Sequence, residues 1–324
     1  MPRMRFLLLL LIAFIFGTVY LLSIQLRFRV PLARRTTKIR ERHFLQIHDW
    51  QGTVPATKTK RVFYNRVGKC GSRTMIQLMA ALAKRNNFKV IGSTKFQTLH
   101  MKLHEQVGFV DFIDRLEAPF VFHHHLHHVE FQRFGSVQPI YINLIRDPLA
   151  RLVSSFYFHR FGDHRGGNRS WSFKGTEEEK NMTFDECVLN NMSECTDARL
   201  FYITPFFCGQ EAFCSRPSEL ALRQAKINVI KSYLLVGVTE EFEDFLFALA
   251  KVLPEFFNGI QRIYEEPGDY LSNKITTTKT VNKKGPSAKV QEIMKKRLAL
   301  EYDFYYFVKD RFHRLMYELK SAPS

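Results

Sequence analysis

Arg66-Val-Gly-Lys-Cys-Gly-Ser-Arg-Thr74 lies between a short β-prone run, Arg61 to Tyr64, and Met75, Ile76, Leu78, Met79 and Leu82 at helical spacing. A loop that hands a strand over to a helix can hold a phosphate, because backbone N–H groups and the helix N-terminus converge there. Lys69 adds a point charge, and Ser72 and Thr74 add hydroxyls. The spacing is not that of the G-x-x-x-x-G-K-[ST] loop, and a tight surface turn with incidental basic residues reads the same way. Arg146 follows the apolar run Ile140 to Ile145, at the strand end where open α/β sheets bind ligands. Ser154 lies eight residues on, in a helix begun by the turn at Asp147-Pro148. Taken singly, Arg146 reads as a surface partner of Asp147, and Ser154 as an ordinary helical serine. Together the two loops offer two anion sites on one sheet edge, which implies a ligand with two phosphate groups.

Phe122-His-His-His-Leu-His-His128 adds a second kind of chemistry. In an extended segment, alternation sets His123, His125 and His127 on one face and His124 and His128 on the other. Three readings compete: surface histidines, a zinc site, and a general base that takes a proton near neutral pH. The zinc reading lacks an evident carboxylate or cysteine partner. Arg66, Arg160 and Arg165 carry the planar fork that suits carboxylates and sulfates, and each serves equally as half of a structural ion pair.

Strands alternating with helices must position these groups. After the two units above, Tyr233 to Val238 forms a third apolar strand and leads, past Glu240 and Glu241, into a helix ending before Pro254. The pattern predicts an α/β fold with a central parallel sheet covered on both faces. Residues 162–181 read as a polar surface excursion, and residues 267–289, with Lys274, Lys279, Lys283 and Lys284, as a basic, mobile loop. Val290 to Leu319 reads as helical and aromatic, a core element rather than a site.

The chain has 324 residues, 45% of them hydrophobic and 14% aromatic, which excludes disorder, collagen and a coiled coil. Phe6 to Ile24 has no charge, and its length matches the roughly 20 residues of a membrane helix. The expected organisation is a tail at 1–5, a signal anchor at 6–24, a stem at 25–60 and a globular domain at 61–324. A cleaved signal peptide is the alternative, but no small-x-small site precedes Gln25. The arginines after the span outnumber those before it, so charge does not fix the orientation. Three sequons begin at Asn168, Asn181 and Asn191, and four of the five cysteines lie between 187 and 214. This clustering favours a lumenal or extracellular body, where disulfides persist. Four cysteines allow three pairings, with Cys70 left over. Without the six arginines of residues 1–35 the balance is 42 basic to 31 acidic residues, a net +11. A lumenal basic body suits a polyanionic glycan better than nucleic acid.

The segments Tyr64 to Thr74, Tyr141 to Pro148, Arg160 to Asp163, Phe184 to Cys187, Pro205 to Gly209 and Leu235 to Glu241 resemble the uronyl and heparan sulfate 2-O-sulfotransferases of the Golgi, in order and across roughly 61–315. Gly68-Lys-Cys-Gly-Ser-Arg73 is more similar to the uronyl type of loop. The resemblance implies the P-loop-like sulfotransferase fold and a single-pass type II Golgi membrane protein with its catalytic domain lumenal. It also implies 3′-phosphoadenosine 5′-phosphosulfate (PAPS) as donor. The acceptor implied is a hexuronic acid 2-hydroxyl of dermatan or chondroitin sulfate, with heparan sulfate as the alternative. Lys69, Gly71, Ser72, Arg73 and Thr74 match the 5′-phosphosulfate loop, Arg146 and Ser154 match the 3′-phosphate site, and the basic segment 279–284 resembles one that closes over the nucleotide. His125 matches the base and His123 a helper. The implied cystines are Cys187–Cys195 and Cys208–Cys214, and a homo-oligomer, a trimer, is implied too. Attack by an acceptor hydroxyl on sulfur needs positioning, deprotonation and charge stabilisation, and no metal. An inactive glycan-binding member of the fold is the contrasting expectation.

Overall fold

The computed structural model describes residues 59–93, 99–164, 173–196 and 200–321, all within one compact unit, Val54–Ser324. The expected tail, the membrane span and most of the stem lie outside the described residues. Among those described, no helix is long and apolar enough to cross a membrane.

Five parallel strands form the sheet: β1 (Arg61–Asn65), β2 (Lys89–Gly92), β3 (Phe120–His124), β4 (Ile140–Ile145) and β5 (Tyr233–Val238). Their order is β2-β3-β1-β4-β5. All six residues of β4 are buried, as expected of a parallel strand covered on both faces. β1 lies centrally, with Tyr64 in register with His123 on one side and with Ile142 on the other. The loops after β1, β3 and β4 therefore emerge side by side at one margin of the sheet.

Two strands had not been legible as strands. β2 is four residues long and partly exposed at the sheet edge, too short for a period to show. β3 carries Phe-Val-Phe and then two histidines, so its apolar run stops inside the strand.

Helices flank the sheet: α1 (Ser72–Ala83), α2 (Leu103–Asp114), α3 (Pro148–Phe161), α4 (Glu177–Asn181), α5 (Phe184–Leu189), α6 (Ile203–Cys208) and α7 (Glu219–Ser232). They are followed by α8 (Phe242–Val252), α9 (Pro254–Phe257), α10 (Ile260–Glu265), α11 (Asp269–Thr276), α12 (Ala288–Arg297) and α13 (Ala299–Ser321). Proline at the first turn and an Asp147 side-chain cap start α3. The segment expected as a mobile loop contains α11, and beyond it Thr280 pairs with Asp163 in an antiparallel bridge. The aromatic C-terminal stretch is two helices, broken at Leu298.

A buried amide clasp ties the strand ends together. Asn65 donates to the carbonyls of Leu126 and Phe206, at 3.3 and 3.0 Å. Asn143 donates to the Asn65 carbonyl at 2.7 Å and to its Oδ1 at 2.9 Å, and Tyr233 donates to that Oδ1 at 3.0 Å. Polar side chains so deep in the sheet persist because their hydrogen bonds are satisfied. The structure also holds both disulfides, Cys187–Cys195 and Cys208–Cys214, and leaves Cys70 free and buried.

Candidate active site

The loop after β1 turns into α1 through two left-handed residues, Lys69 at φ 66° and Gly71 at φ 70°. Gly71 fits because, without a Cβ, it adopts this left-handed conformation without strain. It is the N-cap of α1, and no side chain caps the helix. The first-turn N–H groups thus face the loop with the positive end of the helix dipole.

Lys69 Nζ donates to Thr280 Oγ1 at 3.1 Å and stands 3.7 Å from the centre of the Phe158 ring. Ser154 Oγ is 3.3 Å from the same Thr280 hydroxyl. One hydroxyl therefore stands between the two groups expected to serve separate phosphates. Burial pushes the Lys69 ammonium down to about 7; the charges of Arg73, Arg146 and Lys283 act the same way, and Asp163 opposes them. Burial and the Arg146 charge also lower Lys283. Among the described residues, Lys69, Arg146 and Lys283 make no ion pair. Three crowded cations without carboxylate partners lower their mutual repulsion by taking up an anion.

Arg73 pairs with Asp163, which is bridged to Thr280. Phe158 and Thr280 had not been singled out in the sequence. Phe158 lies one helical turn beyond Ser154 on α3, so the i, i+4 rule would have found it. Thr280 belongs to the segment 279–284 that the resemblance set over the nucleotide, and tertiary contact brings its hydroxyl between Lys69 and Ser154.

The histidines divide by environment. His123 and His125 both feel the charge of Arg66, and burial first, with that charge second, pushes each down to about 4. His125 Nδ1 lies 2.8 Å from the Arg66 carbonyl. A carbonyl only accepts, so Nδ1 carries the proton and Nε2 keeps its lone pair. This is the tautomer a general base needs. His123 packs against Gly92, where a Cβ would fall 2.9 Å from its ring. The alternation expected through 128 ends with β3: His127 is buried against Phe206, and His128 between Tyr141 and Tyr233. Among the described residues no group of three or more His, Cys, Asp or Glu could hold a metal ion.

Arg66 has its Nε buried without a partner, and burial lowers its pKa. Arg160, expected as an acceptor ligand, is instead buried at 3% exposure. It pairs with Glu194, donates to the Glu179 carbonyl at 3.2 Å and stacks on Phe156 at 3.5 Å. Its fork is spent within the fold, so the structural reading holds. Arg160→Ala is expected to cost up to about 3 kcal/mol of stability, since Glu194 loses its partner but keeps some solvent contact. Nucleotide affinity should stay near wild type; a paired measurement of melting temperature and affinity checks this. Arg165 and Asn168 lie outside the described residues. Asn181 and Asn191 are exposed, with Asn181 Nδ2 donating to the Glu177 carbonyl at 3.0 Å and Asn191 Oδ1 accepting from Arg297 at 2.7 Å.

Residues 56–308 match the model of the family described as "Sulfotransferase family". The chain is 42% identical over 270 residues to uronyl 2-sulfotransferase of Homo sapiens, an alignment covering 82% of this chain and 66% of that protein. It is 41% identical to the Mus musculus protein of the same name, over 80% of this chain and 64% of the relative. It is 37% identical over 284 residues to heparan sulfate 2-O-sulfotransferase 1 of Homo sapiens, covering 85% and 77%. The chain thus spans slightly less than two thirds of the uronyl relatives' length. The uncapped helix start, the unpaired cations at the sheet margin and the length of the match all lead to one conclusion: this chain belongs to the sulfotransferase family.

Proposed function

We propose that this protein transfers sulfate from PAPS to the 2-hydroxyl of a hexuronic acid in dermatan or chondroitin sulfate. The observation that carries the reading is the meeting of Lys69, Ser154 and the Arg146 charge at the ends of the adjacent strands β1 and β4, beside an imidazole held in its basic tautomer. When bound, the donor supplies an activated sulfuryl group on a phosphate leaving group. The residues present fit such a ligand. Lys69, Gly71, Ser72, Arg73 and Thr74 would hold its 5′ end, and Arg146, Ser154 and Lys283 its 3′-phosphate. Lys69 stabilises negative charge on the leaving oxygen, which in a desolvated site is worth a few kcal/mol. His125 Nε2 takes the proton of the acceptor hydroxyl, and His123 and the Arg66 guanidinium beside it would serve the acceptor's carboxylate or sulfate.

A second reading, heparan sulfate as acceptor, is supported by the 37% identity to heparan sulfate 2-O-sulfotransferase 1. The signal anchor at 6–24, the lumenal Golgi body and self-association into a trimer are part of the same proposal. The two disulfides and the exposed Asn181 and Asn191 support the lumenal location. Incubating the purified protein with labelled PAPS and a panel of desulfated glycans tests the reading. Disaccharide products identify polymer and position, and no transfer to any glycan supports an inactive binder.

The acidic shifts set a pH window. The His125 base is present above about 4 and is lost as pH falls through that value. The Lys69 charge in the free protein is present below about 7 and is lost as pH rises through it. The pH profile of kcat/KM, which reports the free enzyme, is therefore expected to have its limbs near 4 and 7. Limbs at the ordinary values of 6.5 and 10.5 would remove both assignments.

A further inference from the structure

Tyr202 stands immediately before α6, between the donor loop and two other elements. Its hydroxyl lies against the Gly68 backbone, and a Cβ on Gly68 would fall 2.8 Å from that oxygen. Any side chain at 68 would have to displace that hydroxyl. The Tyr202 ring lies 4.2 Å from the guanidinium carbon of Arg151 on α3, and its centroid is 5.3 Å from that of Phe206.

The backbone that follows is anchored in turn. Glu301, buried on α13 at 2% exposure, accepts from the N–H groups of Ile203 at 2.7 Å and Thr204 at 2.9 Å. Tyr202 is therefore set in place by a buried carboxylate on its main-chain side and by a buried arginine on its ring.

Lys69, the next residue after Gly68, has a side chain and yet sits at φ 66°. Such a conformation costs of order 1–3 kcal/mol and persists only where the surroundings over-determine it. Val67 and Cys70 are fully buried on either side of the turn, Cys70 Sγ reaches the Gly68 carbonyl at 3.6 Å, a weak contact, and Tyr202 presses on Gly68 from the segment before α6.

We propose that Tyr202 is a positioning residue for the donor loop, its hydroxyl bracing Gly68 so that Lys69 is held in the left-handed turn that aims its ammonium into the anion site. This rests on the reading of that loop as the donor's phosphate site. Tyr202 touches neither donor nor acceptor; it acts through Gly68.

Tyr202→Phe removes the hydroxyl and keeps the ring on Arg151. Binding of adenosine 3′,5′-bisphosphate, measured by calorimetry on the full chain, is expected to weaken about 3- to 10-fold, the order of one lost polar contact. KM for the donor should rise in step while KM for the glycan is unchanged. Gly68→Ala in the wild-type background should weaken binding through the clash, and the double variant Gly68→Ala with Tyr202→Phe should recover part of that loss. Wild-type affinity in Tyr202→Phe, or a Gly68→Ala penalty that is the same in both backgrounds, overturns the proposal, whatever the melting temperatures do. Failure of the unmodified protein to bind the nucleotide is a separate result, and removes the reading of the loop itself.

Discussion

Lys69→Ala is expected to reduce transfer by at least a hundredfold while the domain stays folded. The ammonium is largely desolvated, held by one hydroxyl and one aromatic face, and pressed by the charges of Arg73, Arg146 and Lys283. Such a charge contributes little to the empty protein, and its removal even relieves repulsion. It becomes favourable where negative charge builds on the leaving phosphate, and a preorganised donor in a dry site is worth a few kcal/mol there, a factor of 10² to 10³. Single-turnover rates with saturating nucleotide, alongside thermal melts, separate the two. Turnover within threefold of wild type would refute the role, and a collapsed melt would make Lys69 a structural residue.

His125→Ala is expected to lower kcat by about 10²–10⁴, the usual contribution of a positioned base, with nucleotide affinity near wild type. The ring is tethered through Nδ1 to a carbonyl at the end of β1, and its other nitrogen stays unprotonated across the neutral range. The effect should fall on the chemical step, since the anion-binding cations lie on the other loops. A large loss of nucleotide binding in this variant would mean that the imidazole serves the donor. His123→Ala, which leaves the tether intact, should cost less and should act chiefly through the KM of the glycan.

Much of this site was legible in the chain alone, for local reasons. A strand, a glycine-bearing loop and a helix are adjacent in sequence, and so are β4, Arg146 and Ser154, so the types and spacing of their residues carried the sheet margin directly. What escaped depended on contacts across long separations. Thr280 is 211 residues from Lys69, and although the resemblance set its segment over the nucleotide, nothing local marks this hydroxyl as the one between Lys69 and Ser154. Arg160 looked like a free fork because its partner, Glu194, lies 34 residues away in a segment without a visible period. The histidine run misled for a different reason: alternation holds only inside a strand, and β3 ends at His124. His127 and His128 then answer to packing against aromatic rings.

Arg66 takes part twice, once through its main chain and once through its side chain. The carbonyl that orients His125 belongs to the backbone, so no side-chain replacement can delete it. Arg66→Ala thus withdraws a neighbouring positive charge and leaves the imidazole's anchor standing, and the two histidines regain only the smaller, electrostatic part of their lost basicity because burial is the larger cause.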